Sequence, residues 1–293
     1  MITVIPQSSA PNSFQLSQLY NSNCLFKSSI SPIRVKFTLK RRHFRIQASS
    51  LVLPLLPFPI DQVLVPSEAK TLHLYEARYL ALLEESLFKK KKLFVHFVLD
   101  PIMLSDTSEE ASFAARYGCL VKIEKVEQLE VGALVSIRGV GRVKILEFKQ
   151  VEPYLTGVLV PQQDDVSLEI TEVNIKVLEL KEALHSLNRL EIKLKVPQEA
   201  LMQTQTANSL IWAETALDLD CEDAFIPSVA ERVSFSALQA VSGGTKSEWL
   251  KLQKEKVTAM EMKDTLERLN KSIELVKNNS SMVAAKLAIQ SVL

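Results

Sequence analysis

Residues 53–79 read LPLLPFPIDQVLVPSEAKTLHLYEARY, and this stretch decides how the rest of the chain is interpreted. Its short apolar runs are interrupted by four prolines: Pro54, Pro57, Pro59 and Pro66. Because proline lacks a backbone N–H and fixes φ, the stretch does not suit an uninterrupted central strand. We predict short edge strands and tight corners that lead into a helix over residues 75–87. Five side chains share one face of that helix: Tyr75, Tyr79, Leu82, Leu83 and Leu87.

The region after this helix has the composition of a β-domain. Aromatic and β-branched runs predict two strands at residues 93–99 and 120–126, joined by a polar loop at 101–115. Apolar and polar residues then alternate over residues 135–145, which predicts a half-buried hairpin with its turn at Gly139-Val140-Gly141. A last strand opens at Pro153-Tyr154-Leu155 and ends near Pro161.

Helical spacing replaces this pattern after Asp165. Helices are predicted at residues 166–190, 199–219 and 222–242, the third interrupted at Pro227 with Ser228 as a cap and ended by Gly243-Gly244. Apolar residues then recur every three or four positions: Ala259, Met262, Leu266, Leu269, Ile273 and Val276. This period of about 3.5 is typical of coiled-coil helices and predicts a long helix, interrupted at residues 278–281. The seam serves either an intramolecular helical hairpin or a partner-binding or homo-oligomer contact.

Several motifs resemble the N-terminal, substrate-binding domain of Lon proteases. The opening stretch supplies three segments: Leu53-Pro54-Leu55-Leu56-Pro57, Val63-Leu64-Val65-Pro66 and Leu72-His73-Leu74-Tyr75-Glu76-Ala77-Arg78-Tyr79. Ser67 departs from the family, which usually has glycine there. Shorter matches follow in the family's order: Gly118-Cys119-Leu120-Val121, Gly141-Arg142-Val143-Lys144-Ile145, Pro153-Tyr154-Leu155 and Thr265-Leu266-Glu267-Arg268-Leu269. The chain is therefore similar to that family over most of residues 51–270.

The resemblance implies an α+β fold, in which a PUA-like β pseudo-barrel precedes a mainly helical region with a long helix. We accordingly divide the chain into residues 1–48, 49–163 and 164–293. The residues that match the family motif are interpreted as structural: Pro54, Pro57, Pro66, Glu76, Arg78, Tyr79, Gly141, Pro153 and Tyr154. For Glu76 and Arg78, an ion pair or helix-start contact is favoured over acid–base or substrate-contact roles.

The first sixty residues have a different composition. Asp61 is the first acidic residue, serine is frequent, and the basic charges end in Lys40-Arg41-Arg42-His43-Phe44-Arg45. A Ser-rich, Arg-containing leader without acidic residues is typical of transit peptides. We predict a disordered chloroplast transit peptide over residues 1–48, processed near Ile46-Gln47-Ala48-Ser49. A mitochondrial leader and a disordered basic tail are the alternatives.

The ATPase and the peptidase of Lon proteases leave no motif in this sequence. The string nearest to a GxxxxGK[ST] phosphate loop is Gly243-Gly244-Thr245-Lys246-Ser247, in which threonine replaces the glycine before lysine. We interpret it as a helix end followed by a helix start. Nothing resembles the Pro-x-Asp-Gly-Pro-Ser-Ala-Gly string that carries the catalytic serine. We therefore expect a non-enzymatic protein, with a peptidase-related subunit as an alternative.

Metal and cofactor chemistry is not expected either. The four histidines and three cysteines are dispersed: His43, His73, His96, His185, Cys24, Cys119 and Cys221. The histidines are interpreted as structural and the cysteines as buried free thiols. No run reaches the 18 apolar residues that a membrane helix needs, and the net charge of +1 gives no global basic field.

Two basic clusters carry the remaining alternatives. We expect Arg138, Arg142 and Lys144 on the polar face of the predicted hairpin. PUA-like barrels include RNA binders, so an RNA-binding module is an alternative function. Four nearby glutamates and the absence of interleaved aromatic residues count against it: Glu124, Glu127, Glu130 and Glu147. The run Lys89 to Lys92 is interpreted as a solvated helix end rather than an anion-binding surface.

Together these patterns predict a stand-alone Lon substrate-binding-domain protein of the chloroplast, without ATPase and protease domains. We expect it to bind unfolded or apolar client polypeptide, or to dock onto a plastid protease or chaperone. Such recognition requires an apolar groove, which we expect between the barrel and the helices. Four residues near that junction are interpreted as core: Tyr75, Tyr79, Phe94 and Tyr154.

Overall fold

The computed structural model describes residues 2–5, 50–102, 112–165, 169–195, 204–215 and 219–291. Its strands are β1 (Ile2–Ile5), β2 (Leu51–Pro59), β3 (Ala69–Leu74), β4 (Leu93–Ile102), β5 (Ser112–Gln128), β6 (Ala133–Gln150) and β7 (Leu155–Pro161). Its helices are α1 (Ala77–Phe88), α2 (Ile170–Lys195), α3 (Gln205–Glu214), α4 (Val229–Phe235), α5 (Lys246–Glu261) and α6 (Thr265–Gln290). The predicted α+β class is confirmed.

Strands β2 to β7 form a ring-like pseudo-barrel. The strand order is β1-β3-β6-β5-β4-β2-β7, and the ring closes because β7 also pairs with β6. The sheet is mixed, since β2 lies parallel to β4 while the other pairs are antiparallel. The long β6 makes closure possible because its first half pairs with β3 and its second half with β7. The pseudo-barrel implied by the family resemblance is thus confirmed.

Three clusters of buried apolar side chains form the core of the barrel and of the helical half. One fills the ring and includes Leu55, Phe97 and Phe225. A second lies between the sheet, α1 and α5, and a third lies among α2, α3, α4 and α6. The helical half therefore has its own core and also contributes to a cluster that it shares with the barrel.

Three of the four prolines of the opening stretch, Pro54, Pro57 and Pro59, lie in one strand, so they do not divide it into several short edge strands as predicted. β2 runs unbroken over nine residues and changes partner at Leu55, pairing with β7 before it and with β4 after it. Each half of β2 is therefore hydrogen-bonded to only one neighbouring strand. A proline is tolerated in such a strand because the position of its missing N–H can face the unpaired side. The predicted corner comes later, at the 3₁₀ turn Ile60–Gln62 and at Ser67. Ser67 has a φ of 68° at the position where the family usually has glycine.

The predicted hairpin turn at Gly139-Val140-Gly141 was also wrong. β6 is a single strand of 18 residues, and the turn before it lies at Gly132, whose φ is 85°. The two glycines instead allow other segments to approach the strand closely. A Cβ on Gly139 would lie 2.3 Å from the Val65 carbonyl oxygen, and one on Gly141 would lie 2.9 Å from the Phe225 carbonyl oxygen. The sequence pattern thus marked close backbone contacts rather than a reversal of the chain.

The helical half follows the predicted order with different boundaries. The helix predicted at residues 199–219 is shorter, and α4 ends at Phe235, although Ser228 caps it as predicted. The predicted seam divides at residues 262–264, where Asp264 accepts two backbone N–H bonds and starts α6. α6 then continues through residues 278–281, where an interruption was expected. The apolar face of α6 packs against α2 of the same chain. These residues therefore form an intramolecular helix–helix contact, which was one of the two predicted roles of the seam.

The N-terminal segment contributes a strand to the sheet. Ile2–Ile5, which lie in the segment predicted to be a disordered transit peptide, form β1 along the edge of β3. They can pair there because β3 offers an open edge to an extended segment. Residues 6–49 lie outside the described ranges, as do residues 103–111 of the predicted polar loop. Processing of the leader and the domain boundary near residue 48 remain predictions.

Replacing Gly139 tests the close approach of the chain to β6. We expect Gly139→Ala to lower the free energy of unfolding by about 2–3 kcal/mol, because the new methyl group overlaps the Val65 carbonyl. Urea denaturation followed by circular dichroism measures the change. Gly244→Ala is the matched control, since its nearest contact would be at 3.2 Å, and we expect a change below about 1 kcal/mol. Equal stability of the two variants would contradict the packing described for Gly139.

Candidate functional site

The junction between the barrel and the helices is held by buried charges. Arg142 on β6 is 2% exposed, and its guanidinium contacts three segments of the helical half. It donates to Glu231 Oε1 on α4 at 2.9 Å and to the Met260 carbonyl oxygen at 3.2 Å. It also donates to the carboxylate of Asp164, which follows β7. One side chain of the barrel therefore bonds to elements far apart in sequence.

Arg268 on α6 shares the same carboxylate. This guanidinium is 1% exposed and donates to Asp164, while its Nε donates to Ser234 Oγ at 2.7 Å. The hydroxyl group of Thr265 donates to Asp164 as well. Two buried arginines, one from each half of the molecule, thus share the Asp164 carboxylate, and Glu231 supplies the second carboxylate beside Arg142.

The ionisation of this cluster follows from its burial. Burial acts to raise the pKa of the Asp164 carboxyl, but the hydrogen bond and charge of Arg268, together with the charge of Arg142, outweigh it and lower the pKa. The pKa of the Glu231 carboxyl is raised, first by burial and then by the charge of Asp164. Asp164 is therefore the firmly ionised member of the pair.

A second buried ion pair ties α5 to the barrel. Lys256 Nζ lies 2.6 Å from Glu68 Oε1, and both residues are buried. Glu68 Oε2 also accepts the Val65 backbone N–H at 3.1 Å. Burial lowers the pKa of the neighbouring Lys70 to about 8. This part of the junction therefore contains buried ion pairs beside the apolar cluster that the sheet shares with α5, and the apolar groove expected there stays a prediction.

The predicted basic face of β6 is not formed. Arg138 and Arg142 are both buried, and only Lys144 of the three is exposed. The guanidinium of Arg138 donates to Glu124 Oε1 at 2.9 Å and to Asn208 Oδ1 at 3.0 Å. The prediction was wrong because the helical half covers the face of β6 that the alternation assigned to solvent. The surface patch on which the RNA-binding alternative rested is therefore absent from the described residues.

The motif residues around α1 connect that helix to the barrel. Arg78 Nε lies 2.7 Å from Glu76 Oε2, and the guanidinium carbon of Arg78 lies 4.6 Å from the centre of the Tyr79 ring. The hydroxyl group of Tyr154, at the start of β7, donates to Glu85 on α1. Burial, followed by this hydrogen bond, raises the pKa of Tyr154 to about 12. These contacts fix the position of the helix and present no arrangement for catalysis.

The remaining motif residues occupy structural positions. Four are buried in β2, in the loop before β3 or in β6, namely Pro54, Pro57, Pro66 and Gly141, whereas Pro153 is exposed. Among the aromatic residues interpreted as core, Tyr79, Phe94 and Tyr154 are buried and Tyr75 is half-buried. None of them lines the cleft described below.

The histidines and cysteines within the described ranges do not assemble into a metal site. His96 is buried and stacks on Phe58 with ring centres 3.9 Å apart, and burial lowers its pKa well below the usual range. His73 Nε2 lies 3.0 Å from the Val131 carbonyl oxygen, His185 is exposed, and His43 lies outside the described ranges. Cys119 and Cys221 are free thiols, the first buried and the second half-buried, while Cys24 lies outside.

The two remaining sequence candidates are local structural features. Thr245 caps α5, accepting the Glu248 N–H while Glu248 accepts the Thr245 N–H, so the predicted helix start is confirmed. The preceding helix ends eight residues before Gly243, earlier than predicted. In the lysine run, Lys91 pairs with Asp220 and most of the run is exposed.

A cleft of about 210 Å³ lies in the helical half. Residues 239–245, α5 and α6 form its walls. Six apolar residues line it: Ala240, Val241, Trp249, Leu252, Leu275 and Met282. Trp249 is 38% exposed, so an apolar ring is presented to solvent at the wall. Met282 adds a flexible thioether side chain that adapts to different shapes.

The polar part of the lining includes a group of carboxamides and three charged side chains, Glu248, Lys251 and Glu255. Gln239 is 4% exposed, and its Nε2 has no hydrogen-bond partner within the described residues. Asn278 and Asn279 bring two further carboxamides from α6. A carboxamide both donates and accepts hydrogen bonds, as does a peptide group. The cleft can therefore hold an apolar side chain and bond to the main chain that carries it.

Sequence reasoning missed this cleft. Asn278 and Asn279 were interpreted as a helix interruption, and no sequence signal distinguishes them from the other polar residues of α6. Gln239 lies beyond Phe235, the observed end of a helix that was predicted to continue to residue 242. No periodic pattern indicates that these segments face one another.

Other kinds of site receive no support from the described part of the chain. Within it, no group of three or more His, Cys, Asp and Glu side chains is placed to hold a metal ion. None of its helices is both long and apolar enough to cross a membrane.

Comparison with known proteins points to one family. The profile of the ATP-dependent protease La (LON) substrate-binding domain matches residues 52–234. The N-terminal domain of a Mycobacterium avium complex Lon protease is 14% identical, with a TM-score of 0.42 over 78% of this chain and 98% of that one. A Lon N-terminal domain protein from Xanthomonas campestris is 18% identical, with a TM-score of 0.40 over 75% and 96%. No curated protein matches the sequence.

Removing the charge of Asp164 tests the junction. We expect Asp164→Asn to lower the free energy of unfolding by about 3 kcal/mol, because two buried guanidinium groups lose their shared carboxylate. Urea denaturation at pH 7 measures the loss. Glu267→Gln is the control, since it breaks an exposed pair with Lys271 and is expected to cost less than about 1 kcal/mol. A loss as small as that of the control would show that the cluster is not a structural tie.

The same variant has a defined pH dependence. Because the folded-state pKa of Asp164 is lowered, its contribution is complete above the unfolded value of about 3.9 and is lost as the pH falls through the folded value. The stability difference between wild type and Asp164→Asn should therefore be constant near neutrality and narrow below about pH 4. The pKa of Glu231 is raised, so this residue changes the stability in the opposite direction as the pH falls. The pH series is therefore repeated with both proteins carrying Glu231→Gln. If the stability difference between wild type and Asp164→Asn stays constant or widens on acidification, with and without Glu231→Gln, the lowered pKa assigned to Asp164 is refuted.

Proposed function

Because the chain belongs to the substrate-binding-domain family of Lon, the ATP-dependent protease La, we propose that it binds exposed apolar segments of unfolded client polypeptides. The observation that carries the proposal is the cleft between α5 and α6, which combines an apolar lining with an unpaired buried amide. An unfolded segment offers the matching groups, since it exposes apolar side chains and unpaired peptide groups together.

The volume of the cleft limits the size of the side chain that it can bind. A dry cavity of about 150 Å³ accepts benzene, so a cleft of about 210 Å³ has room for one aromatic or branched aliphatic side chain. Several residues of the lining suit such a guest, with Trp249 and Met282 providing polarisable surfaces. The proposed specificity is therefore for one apolar anchor residue and not for a long sequence motif.

The amides of the cleft add recognition of the main chain. Burying the anchor leaves its neighbouring peptide groups near the cleft wall, where they need hydrogen-bond partners. The carboxamides of Asn278 and Asn279 supply both donors and acceptors, while Gln239 Nε2 is an enclosed donor that has no partner within the described residues. Main-chain recognition does not depend on sequence, which suits a protein that binds many clients.

The affinity of one anchor is modest. Burial of one large apolar side chain contributes about 1.5–3 kcal/mol, whereas a millimolar dissociation constant already corresponds to about 4 kcal/mol. Useful capture therefore needs additional contacts on the protein or several anchors on the client.

We place this binding activity in the chloroplast and assign no catalysis to the chain. The protein acts as a client-binding module or as a docking partner of a plastid protease or chaperone. The acid-free leader supports the location, and the absence of a phosphate loop and of a Ser–Lys peptidase motif from the sequence supports the non-enzymatic role.

Filling the cleft should abolish client binding. We expect Ala240→Trp, at an exposed position in the cleft wall, to weaken binding of fluorescein-labelled casein at least about tenfold, because the indole occupies the anchor space. Fluorescence anisotropy measures the affinity. Ala285→Trp is the matched control, since it adds the same side chain on exposed α6 surface outside the cleft lining. Equal casein binding by wild type and both variants would overturn the assignment of the cleft.

The same mixtures test for hidden enzymatic activity. With ATP and magnesium added, casein should remain intact on gels after prolonged incubation. Sustained hydrolysis that disappears when one serine is replaced would favour the peptidase alternative over a binding module.

The leader is tested on the native protein. We expect the protein recovered from isolated chloroplasts to begin near Ala48, because processing within residues 46–49 removes the acid-free segment. N-terminal peptide mass spectrometry identifies the first residue. A mature N-terminus at Met1, or recovery in mitochondria alone, would refute the chloroplast transit peptide.

A further inference from the structure

The outermost strand of the sheet is formed by the leader. β1 pairs antiparallel with β3, with Ile2 opposite Leu74 and Ile5 opposite Thr71. The other edge of β3 pairs with β6 along the whole of Ala69–Leu74. β1 therefore covers the one edge of β3 that the barrel leaves open, and it ends the strand order of the sheet.

The covered edge has the properties of a template for strand addition. β3 is fixed on its inner side by β6, and its alternating Leu72 and Leu74 are buried in the core. The edge is thus preorganised, so an added strand pays little ordering cost on the protein side. Main-chain hydrogen bonds supply the affinity in this mode of recognition and accept any segment that can extend.

The occupant seen in the structure indicates what the edge accepts. Residues 2–5 read Ile-Thr-Val-Ile, a run in which every residue is β-branched. Such residues favour extended backbone, and runs of them become exposed when a chain unfolds. The leader thus presents to β3 the same chemistry that an unfolded client would present.

We propose that the edge of β3 at residues 71–74 is a second polypeptide-binding site, which takes an extended β-branched segment and which residues 2–5 occupy in cis until the leader is removed. The proposal rests on the proposed client binding and supplies the additional contact that one anchor cleft lacks. Processing near residue 48 removes β1 and exposes the edge, so the precursor is held in a blocked form. Import then couples maturation to client binding.

The experiment uses the full-length chain and a defined probe. The probe is a fluorescein-labelled peptide of residues 1–8, MITVIPQS, and the control peptide carries proline at positions 3 and 4. The protein variant is Thr3→Pro with Val4→Pro. Neighbouring residues of a strand direct their N–H groups to opposite sides, so one of the two prolines removes a ladder donor. The matched variant, Ser8→Pro with Ser9→Pro, puts the same prolines outside β1.

We expect the variant with prolines in β1 to bind the probe at least about tenfold more tightly than wild type or the matched variant, because the intramolecular competitor is lost. The control peptide should not bind. Hydrogen exchange gives an independent measurement: amides of residues 71–74 should exchange faster in the β1 variant and slow again when the probe is added. Equal probe binding by all three proteins, or binding of both peptides alike, would overturn the proposal.

The outcomes separate this site from the cleft. If casein binding is lost in Ala240→Trp while the probe binds the β1 variant no better than wild type, the client-binding function stands and the β3 site is rejected. If the probe binds as expected while Ala240→Trp still binds casein, the edge is a polypeptide site and the cleft assignment fails.

Discussion

The structure depends on one buried carboxylate. Arg142 and Arg268 come from the barrel and from the last helix, and neither guanidinium reaches solvent. Two such charges can share an interior only if an anion lies between them, and Asp164 occupies that place. Asp164 follows β7, the strand that closes the ring, so this carboxylate joins the closing strand of the barrel to the last helix. The position of α5 and α6, and therefore the shape of the cleft between them, follows from this constraint.

Local rules predicted much of the fold. Helix α1, the strands predicted at residues 93–99 and 120–126, the Ser228 cap and the start of α5 all depend on residues close in sequence, and all were found. Predictions from local sequence failed where a segment that is distant in sequence covers one face of a strand. The alternation in β6 assigned Arg138 and Arg142 to solvent, because nothing near them in sequence reveals that α3 and α4 lie above that face. Likewise Gly139 and Gly141 have the composition of a turn, and only the approach of residues 65 and 225 gives them another purpose.

The candidate site was less predictable than the fold for a related reason. A cleft is a space between elements, and its walls here come from a loop and two helices whose boundaries depend on docking. Polar residues on a helix normally indicate solvent exposure or a break, which is how Asn278 and Asn279 were interpreted. Their place on an unbroken α6 is set by Asp264, which starts the helix, and by the apolar face that packs on α2. The family resemblance identified the architecture but did not indicate which surface is used.

The buried pair of Lys256 and Glu68 joins residues that are 188 positions apart. The family profile ends at residue 234, ahead of Lys256, of Arg268 and of the carbonyl groups that bond to Arg142. A fragment cut at the profile's end would keep Glu68 and Arg142 while losing those partners. The physical unit of folding is thus longer than the unit defined by sequence similarity. During synthesis, Glu68, Arg142 and Asp164 therefore find all their buried partners only after α6 has been made.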